Sequence, residues 1–304
     1  MYYKNRYLNL EVWPKYADKP ITFNVDWKIT FDINKNASSD YMSFNTAEIS
    51  IYNMTSETRS LISQAGLKVR LDAGYEDLHK VIFEGVVNNV TVEKEATDII
   101  TTLYCSSDLT GLANDVSDTL NGVNITDYLS NLCKKNGIRL EMKRINKSIT
   151  EYSVDGSVAQ TIARICSLFG LSYSVDNGMI RIISDDIASN DVREDEIIVI
   201  TPTTGMLGNP EITEEGCNIK TLLDCRYHVN GYYRLEAPFA TYNLNNLTVR
   251  PEAVLGGELN AIAFIDKKTY NGVYMILSMQ FKGDTRGNAW YSQLRGSRLW
   301  PRAK

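Results

Sequence analysis

Residues 21–33 alternate without exception between apolar and polar side chains, and this run constrains the fold more than any other stretch of the chain. Every odd position from Ile21 to Ile33 is apolar, and every even position from Thr22 to Asp32 is polar. Because successive side chains of a strand point to opposite faces, the run predicts one long strand with one buried face. A strand of this kind is typical of an antiparallel sheet with one solvent-facing side.

The rest of the N-terminal region carries the same kind of pattern. A short helix is predicted with Thr55 as its cap and Gly66 at its end. Its inner face is expected to carry Leu61, Ile62 and Ala65. Further strands are predicted at residues 47–52, 68–73, 81–87, 90–92 and 99–104. The second and third of these form a predicted hairpin, so the region indicates an antiparallel β domain with one helix.

A helix–strand pattern occurs twice in the middle of the chain, with 33 residues between Leu129 and its counterpart Ile162. In each copy apolar residues recur at helical spacing, a glycine follows, and an alternating strand comes next. The helix faces are Ile125, Tyr128, Leu129, Leu132 and Cys133 in the first copy and Val158, Ile162, Ile165, Cys166 and Phe169 in the second. Asn177-Gly178 predicts a hairpin turn into residues 179–183. Two copies are too few for a solenoid, so a small α+β domain is predicted.

A late stretch, residues 271–291, has the pattern of a β-hairpin. Asn271-Gly272 is a turn signal, because both residues tolerate positive φ. The strand after it is predicted to place five apolar side chains on one face: Val273, Met275, Leu277, Met279 and Phe281. A six-residue turn over 283–288 follows, and Trp290 begins the returning strand.

This stretch resembles the last β-hairpin of the central baseplate hub proteins of contractile-tailed bacteriophages. The resemblance is carried by Asn271, Gly272, Tyr274, Gly283, Asp284, Gly287, Asn288 and Trp290. The order of a long strand, a second strand over 45–53, a helix, a hairpin and the phrase at 82–87 is similar to the first domain of that family. Residues 222–224, Leu-Leu-Asp, match a phrase of its third domain, whereas residues 226–268 depart from the usual short form.

The resemblance implies a mainly β fold with an α+β insert. Two tail-tube-like antiparallel β-barrel domains, residues 1–115 and 191–304, would flank a small α+β domain of residues 116–190 with two helix–strand units.

Acidic residues 185–196 are interpreted as a solvated linker, with docking of a basic neighbour as the alternative. Basic residues 282–304 are interpreted as a C-terminal arm that docks on an acidic partner or a neighbouring subunit.

The function that the resemblance implies is structural. Three copies would form a pseudo-six-fold ring that adapts the six-fold tail tube to the three-fold spike and lines the DNA ejection channel. The implied partners are further copies of the chain, the tail tube protein, the spike protein, and tape-measure, wedge or other baseplate proteins, with DNA only as passing cargo. The implied location is the virion tail baseplate, with assembly in the host bacterial cytoplasm. The net charge of −5 is compatible with a channel that repels DNA phosphates.

No catalytic, cofactor-binding or metal-binding site is predicted. The two histidines, His79 and His228, belong to no metal-ligand or catalytic motif, and the five cysteines show no C-x-x-C pair. Cys133 and Cys166 lie on the predicted helix faces and are interpreted as core residues. No apolar run is long enough to cross a bilayer, so membrane insertion by this chain is not expected. Three alternatives stay open at this point: a cell-wall hydrolase of the tail, a glycan-binding tail protein, and the hub of a phage-derived contractile injection device.

Overall fold

The computed structural model describes residues 5–37, 45–107, 110–143, 145–213, 216–242 and 270–302. The N-terminal elements are β1 (Arg6–Trp13), β2 (Ile21–Asn24), β3 (Ile29–Asn36), β4 (Thr46–Tyr52), α1 (Ser56–Ile62), β5 (Lys68–Tyr75), β6 (Leu78–Glu95) and β7 (Asp98–Ser107). The middle elements are β8 (Asp115–Asn124), α2 (Ile125–Lys135), β9 (Arg139–Lys143), β10 (Ser148–Ser157), α3 (Val158–Phe169), β11 (Leu171–Asp176) and β12 (Met179–Ser184). The C-terminal elements are β13 (Ile197–Ile200), β14 (Glu211–Thr213), β15 (Gly216–Leu222), β16 (Tyr232–Leu235), β17 (Thr241–Tyr242), β18 (Gly272–Asp284) and β19 (Trp290–Arg298).

The fold is mainly β, as predicted, and the N-terminal and C-terminal strands form a single sheet. Among the described residues this sheet has 14 strands, in the order β17-β14-β15-β19-β18-β3-β4-β7-β6-β5-β1-β2, with β16 pairing with β18 and with β13. In this part of the chain no pairing closes the sheet, so the two predicted closed barrels are not found. The reason is that β18 pairs with β3 as well as with β19, and this pairing joins the two halves through strands that separate barrels would keep apart.

The prediction of one long strand over residues 21–33 is wrong, because the chain turns at residues 25–28. The Trp27 amide donates to the Asn24 carbonyl (3.2 Å), and the Trp27 carbonyl accepts from the Thr285 hydroxyl (2.6 Å). This corner carries the chain from β2, next to β1, to β3 in the middle of the sheet. The alternation continues through the corner because Val25 and Trp27 pack against the same apolar core as the strands on either side.

Two details of the N-terminal region also differ from the prediction. The segments predicted at 81–87 and 90–92 are one strand, β6, with a register shift between Val87 and Asn89. Helix α1 ends at Ile62, before Gly66, and Thr55 caps it as predicted by accepting from the Thr58 amide. Only Ile62 of the predicted inner face is buried, because so short a helix presents a single residue to the sheet. Leu61 is 51% exposed and Ala65 is also exposed.

The middle region packs around its own apolar cluster, which is separate from the core of the large sheet. Helices α2 and α3 bury the predicted faces, except that Phe169 is only partly buried, and Gly170 ends α3 in the left-handed conformation. Asn177 and Gly178 have φ of 50° and 69°, as the predicted turn requires, and they join β11 to β12. Strands β9, β11 and β12 form one small sheet, and β8 and β10 form another.

The predicted single face of β18 is wrong because the strand contains a bulge between Ile276 and Ser278. Before the bulge, Tyr274 and Ile276 face the main core, while Val273 and Met275 join a small cluster on the other side. After it, Met279 and Phe281 take the core positions, because the extra residue inverts the alternation.

The interpretation of Asn271-Gly272 as a hairpin turn is also wrong. Gly272 begins β18 and pairs with Leu235 of β16. Asn271 does not have the positive φ that this turn would require. The Asn271 side chain binds the Ala237 backbone instead, accepting from its amide (2.9 Å) and donating to its carbonyl (3.1 Å). The Asn271 side chain thus takes both backbone hydrogen bonds of Ala237, and it ties the start of β18 to the residues after β16 and does not form a tight turn.

Truncation of Phe281 tests the role of β18 in the core. Phe281 is 1% exposed and lies opposite Ile33 of β3. We expect Phe281→Ala to lower the free energy of unfolding by about 3–5 kcal/mol, because a buried ring is lost and a cavity remains. The neighbouring Lys282→Ala, which removes an exposed ion pair with Asp32, should cost about 1 kcal/mol or less. Equal losses in denaturant titrations of the two variants would contradict this placement.

Candidate functional site

The turn between β18 and β19 is fixed to the N-terminal part of the chain. The Asp284 amide donates to the Ala289 carbonyl (2.7 Å), which closes the turn. Thr285 donates its amide to the Ile29 carbonyl and accepts from the Ile29 amide at its hydroxyl, both at 3.0 Å. Arg286 donates to the carbonyl of Asp26 in the corner before β3. The turn therefore ties the end of the chain to the corner at residues 25–28.

Arg6 and Trp290 hold the same turn from the other side. The Arg6 guanidinium donates to the carbonyls of Asp284 and Gly287, both at 2.6 Å, and lies 5.3 Å from the centre of the Trp290 ring. Trp290 is buried, and its indole nitrogen donates to the Gly74 carbonyl at 3.1 Å. A buried indole whose donor is satisfied adds packing without an unpaired polar group.

Gly283 is required by close packing. A Cβ atom at this position would lie 2.2 Å from the Phe31 ring, which itself packs edge-on against Trp290. No side chain larger than hydrogen fits without movement of that ring. The sequence resemblance thus includes a glycine whose role is steric.

The eight residues of the resemblance fall into two groups at opposite ends of the hairpin. Five lie at the turn: Gly283, Asp284, Gly287, Asn288 and Trp290. Asn271, Gly272 and Tyr274 lie at the other end, where the Tyr274 hydroxyl donates to the Tyr270 carbonyl and its ring stacks on Tyr233. Every contact described above serves packing or backbone pairing, so the two groups support the hairpin at its two ends and do not form one site.

A buried ion pair joins the large sheet to the middle region. Lys35 of β3 is 2% exposed, and its Nζ lies 2.5 Å from Oδ1 of Asp176 at the end of β11. The other carboxylate oxygen of Asp176 lies 3.1 Å from Arg181, which also binds Glu141 at 2.9 Å. Burial by itself would raise the pKa of Asp176, but Lys35 and then Arg181 hold that pKa below its usual value.

Uncharged contacts surround this ion pair. The Asn45 amide nitrogen donates to the Val175 carbonyl (2.5 Å), and the Asn177 amide nitrogen donates to the Val81 carbonyl (3.0 Å). On the C-terminal side, the Ser172 hydroxyl donates to Oδ1 of Asn230 at 3.3 Å. Strand β11 is therefore in polar contact with both halves of the large sheet, and all six of its residues are buried. We refer to Lys35, Asn45, Asp176, Asn177 and Arg181 as the polar joint.

Sequence analysis missed the polar joint, although one signal was present. Lys35 continues the odd-numbered series of Ile29, Phe31 and Ile33, and it is buried with them. A lysine at a position that alternation assigns to the core requires a buried anionic partner, because an unpaired charge there is costly. Nothing in the local pattern indicates that this partner is Asp176.

Most of the predicted basic arm is sheet, because residues 282–298 belong to the end of β18, the turn and β19. The residues after β19 contact the acidic segment of the same chain. Arg302 lies 3.0 Å from Asp186 and 3.6 Å from Asp191. The Ser189 amide donates to the Trp300 carbonyl at 3.0 Å. This part of residues 185–196 is thus in contact with the end of the chain, while the Asp186 side chain stays 91% exposed.

The face of the large sheet opposite the main core is polar across the junction of the two halves. Asn34 and Gln280 lie there on the paired strands β3 and β18, and Gln293 and Arg295 continue the face on β19. These residues line a depression of about 490 Å³ together with Asn36, Asn209, Glu211, Asn218, Lys220 and Ser278. Side-chain amides dominate this wall, and its charges are of both signs.

The two histidines and the five cysteines, which could carry acid–base or covalent chemistry, are held in structural positions. His79 stacks on Tyr7 and contacts Asp72, and burial followed by the nearby Arg181 lowers the pKa of His228. All five cysteines are buried, and burial raises the pKa of each thiol, to about 12 for Cys105 and about 11 for Cys133. Within the described ranges no three His, Cys, Asp or Glu side chains form a group that could hold a metal ion. No described helix is long and apolar enough to span a membrane.

Substitution of Gly283 tests the packing of the turn. We expect Gly283→Ala to destabilise the protein by about 1–3 kcal/mol, because the added methyl group overpacks against the Phe31 ring. Adding Phe31→Leu should restore part of that loss by making room, so the double variant should be more stable than the sum of the two single changes predicts. Additive losses in a double-mutant cycle measured by thermal unfolding would show that the steric account is wrong.

Removal of the lysine tests the polar joint. We expect Lys35→Met to cost about 3–5 kcal/mol, because Asp176 stays buried with part of its charge uncompensated. Lys28→Met, which breaks the exposed pair with Asp98, is the matched control and should cost about 1 kcal/mol or less. A similar cost for both variants in urea titrations would contradict the proposed importance of the buried pair.

The pH dependence of the wild type follows from the lowered pKa of Asp176. As the pH falls, the unfolded chain takes up this proton first, near pH 4, so the contribution of Asp176 to stability is complete above about pH 4. That contribution is lost as the pH falls further through the folded-state pKa. In Lys35→Met the loss should be smaller, because only Arg181 still lowers the pKa; an unchanged acid limb of the stability curve would contradict this.

Comparisons with known proteins agree with this framework. The family model for baseplate hub gp41 matches residues 10–248. No protein of curated function matches the sequence. The fold is similar to a 43 kDa tail protein of prophage MuSo2 from Shewanella oneidensis (TM-score 0.58, 9% identity, 97% of each chain covered). It is also similar to a tail protein from Neisseria meningitidis MC58 (TM-score 0.57, 9% identity, 95% of this chain and 96% of that one).

A third structure is the E. coli c3393 protein, a type VI secretion component that exhibits structural similarity to the T4 bacteriophage tail proteins gp27 and gp5. It aligns with a TM-score of 0.54 and 8% identity, over 96% of this chain and 79% of that one. At these identities the likeness concerns the fold alone. The family match extends over most of the chain, and it confirms the predicted structural, non-enzymatic role. The chain therefore belongs to the baseplate hub gp41 family and is a structural protein of the phage tail baseplate.

Proposed function

We propose that three copies of this hub form a closed pseudo-six-fold ring between the tail tube and the spike, with the polar face of the large sheet lining the DNA channel. The observation that carries the proposal is the continuous sheet through β3 and β18, which places strands of both halves side by side. Each copy would then contribute two halves of the sheet, one on each side of the β3–β18 pairing, so that three copies supply six. The domains proposed are residues 1–115, 116–190 and 191–304.

Sheet edges favour a ring over a single copy. In the described part of the chain the sheet is open, with β2 and β17 at its ends. Open edges expose unpaired backbone groups, and cyclic assembly of identical copies covers such edges without leaving a free end. The partners of the ring would be the tail tube protein, the spike protein and further baseplate proteins, with assembly in the host cytoplasm before the tail is complete.

The composition of the polar face suits a channel wall that a polymer slides past. The face combines amides with charges of both signs, such as Lys220 and Arg295 against Asp32 and Glu48. The wall proposed here is therefore amide-rich and mixed in charge, in place of the acidic wall that the net charge suggested. A wall without a strong positive field does not bind phosphates tightly, so DNA can move through it.

The ring is tested by native mass spectrometry of the purified chain, alone and with the spike protein of the same phage. We expect a trimer that binds three spike chains, because the proposed ring matches the three-fold symmetry of the spike. A trimer that appears only with the spike also supports the proposal and shows that the spike templates the ring. A chain that stays monomeric in the presence of both spike and tube protein would contradict it.

The channel assignment needs a separate readout. Asn34→Lys with Gln293→Lys adds positive charge to the polar face and should slow DNA ejection severalfold, because phosphates would bind the wall. The number of copies in the complex should stay at three. Ser130→Lys, on the exposed face of α2, is the matched control and should leave ejection at the wild-type rate. Equal ejection rates for the two charge additions would place the channel elsewhere.

A further inference from the structure

Strands β8 and β10 form a two-stranded ribbon with no further strand on either side. They pair antiparallel from Asp115 opposite Ser157 to Asn124 opposite Ser148, and neither pairs with another strand in the described parts of the chain. A two-stranded sheet of this length is marginal by itself and exposes two long edges. Helices α2 and α3 contact the ribbon.

The ladder geometry shows which backbone groups point outward. Asn114 and Val158 lie directly beyond the last pair of the ladder, Asp115–Ser157. The Val158 amide donates to the Asn114 carbonyl at 2.9 Å. In an antiparallel ladder this arrangement makes Asp115–Ser157 a pair without mutual hydrogen bonds, and every second pair has the same character as far as Asn121–Glu151. The ladder is interrupted at Gly122 (φ 62°), and beyond it the Ile125 amide donates to the Lys147 carbonyl with the opposite phase. The amides and carbonyls at Asp115, Ser117, Thr119 and Asn121 therefore point away from β10, and all four residues are exposed.

The edge of β10 is different. Its outward positions are Glu151, Ser153 and Asp155, and Arg164 from α3 donates to the Asp155 carbonyl at 2.8 Å. This independent contact confirms the phase of the ladder, because the capped carbonyl is one that the geometry assigns to the outside. It also blocks one end of that edge. The open edge of the ribbon is thus the β8 edge from Asp115 to Asn121.

The charges of the ribbon select against one partner and for another. The two strands carry Asp115, Asp118, Glu151 and Asp155 and contain no lysine or arginine. Like charges would face each other if two copies of the ribbon paired edge to edge, which disfavours that pairing. A strand with basic side chains would instead place opposite charges beside these carboxylates.

We propose that the β8 edge binds an extended segment of another protein that carries lysine or arginine at alternate positions, and that this segment adds to the ribbon as a third strand. The backbone groups at Ser117 and Thr119 supply hydrogen bonds, and the carboxylates supply charge selectivity. The inference rests on the proposed function only in placing the partner within the baseplate. It concerns a different surface from the polar face and from the ends of the large sheet.

The test uses a nine-residue peptide of alternating lysine and valine as the probe for the full-length chain. Hydrogen–deuterium exchange should show added protection at residues 115–121 when the peptide binds. Ser117→Pro with Thr119→Pro removes two outward donors without breaking a bond to β10, and it should weaken binding by on the order of tenfold or more. Ser153→Pro, directly opposite Thr119, removes an outward donor from the other edge and is the matched control that should keep the wild-type affinity.

Further arms separate charge from shape. The triple variant Asp115→Asn, Glu151→Gln and Asp155→Asn removes the carboxylate charges and should weaken binding by roughly tenfold. A peptide of alternating glutamate and valine should not bind. Protection outside 115–121, or equal weakening by Ser153→Pro, would overturn the proposal. The trimer measured by mass spectrometry is the independent readout: a normal trimer with no peptide binding defeats this inference alone, whereas peptide binding without a trimer defeats only the ring.

Discussion

The pairing of β18 with β3 is the constraint on which the rest of the structure depends. It joins residues far apart in the chain, as in the hydrogen bond from Gln280 to Asp32 across 248 positions. Closing so long a loop costs chain entropy, so the pairing forms only with the burial that accompanies it. Phe281 and Ile33 supply that burial, and the turn after β18 adds contacts to Ile29, Phe31 and Arg6. The N-terminal and C-terminal strands thereby become one sheet, with β3 and β18 side by side in its middle.

The middle region is attached to this sheet by polar as well as apolar contacts. Each of the two parts has its own apolar cluster, and a third, small cluster joins Ile183 of β12 to Val273 and Met275 of β18. The ion pair and amide hydrogen bonds of the polar joint also link the two parts. Hydrophobic contacts tolerate small rotations, whereas a buried ion pair with a second hydrogen-bonded cation is directional. The joint therefore constrains the orientation of the middle region relative to the sheet.

A structural role explains why the best-defined residues form no reaction centre. Arg6, Trp290 and Gly283 are as closely constrained as catalytic residues usually are, but their partners are backbone carbonyls and a neighbouring ring. The thiols are buried with raised pKa values, which keeps them protonated and unreactive. The proposed functional surfaces are accordingly faces and edges: a polar sheet face, a ribbon edge, and strands at the ends of a sheet.

The sequence by itself determined the local elements of this protein and its family. The stripes of α2 and α3 and the turn at Asn177-Gly178 depend on neighbours in the chain, so their patterns are readable. The residues from Gly283 to Trp290 were found by resemblance, and their contacts are to distant residues such as Phe31 and Gly74. Only the tertiary structure decided the corner at residues 25–28, the bulge after Ile276 and the partner of Lys35. Alternation records which side of a strand is apolar, and it continues through a corner when both strands face one core. It carries no information about which distant strand pairs with this one or which carboxylate lies next to Lys35. Packing between segments far apart in the sequence decides both, and a local pattern does not record it.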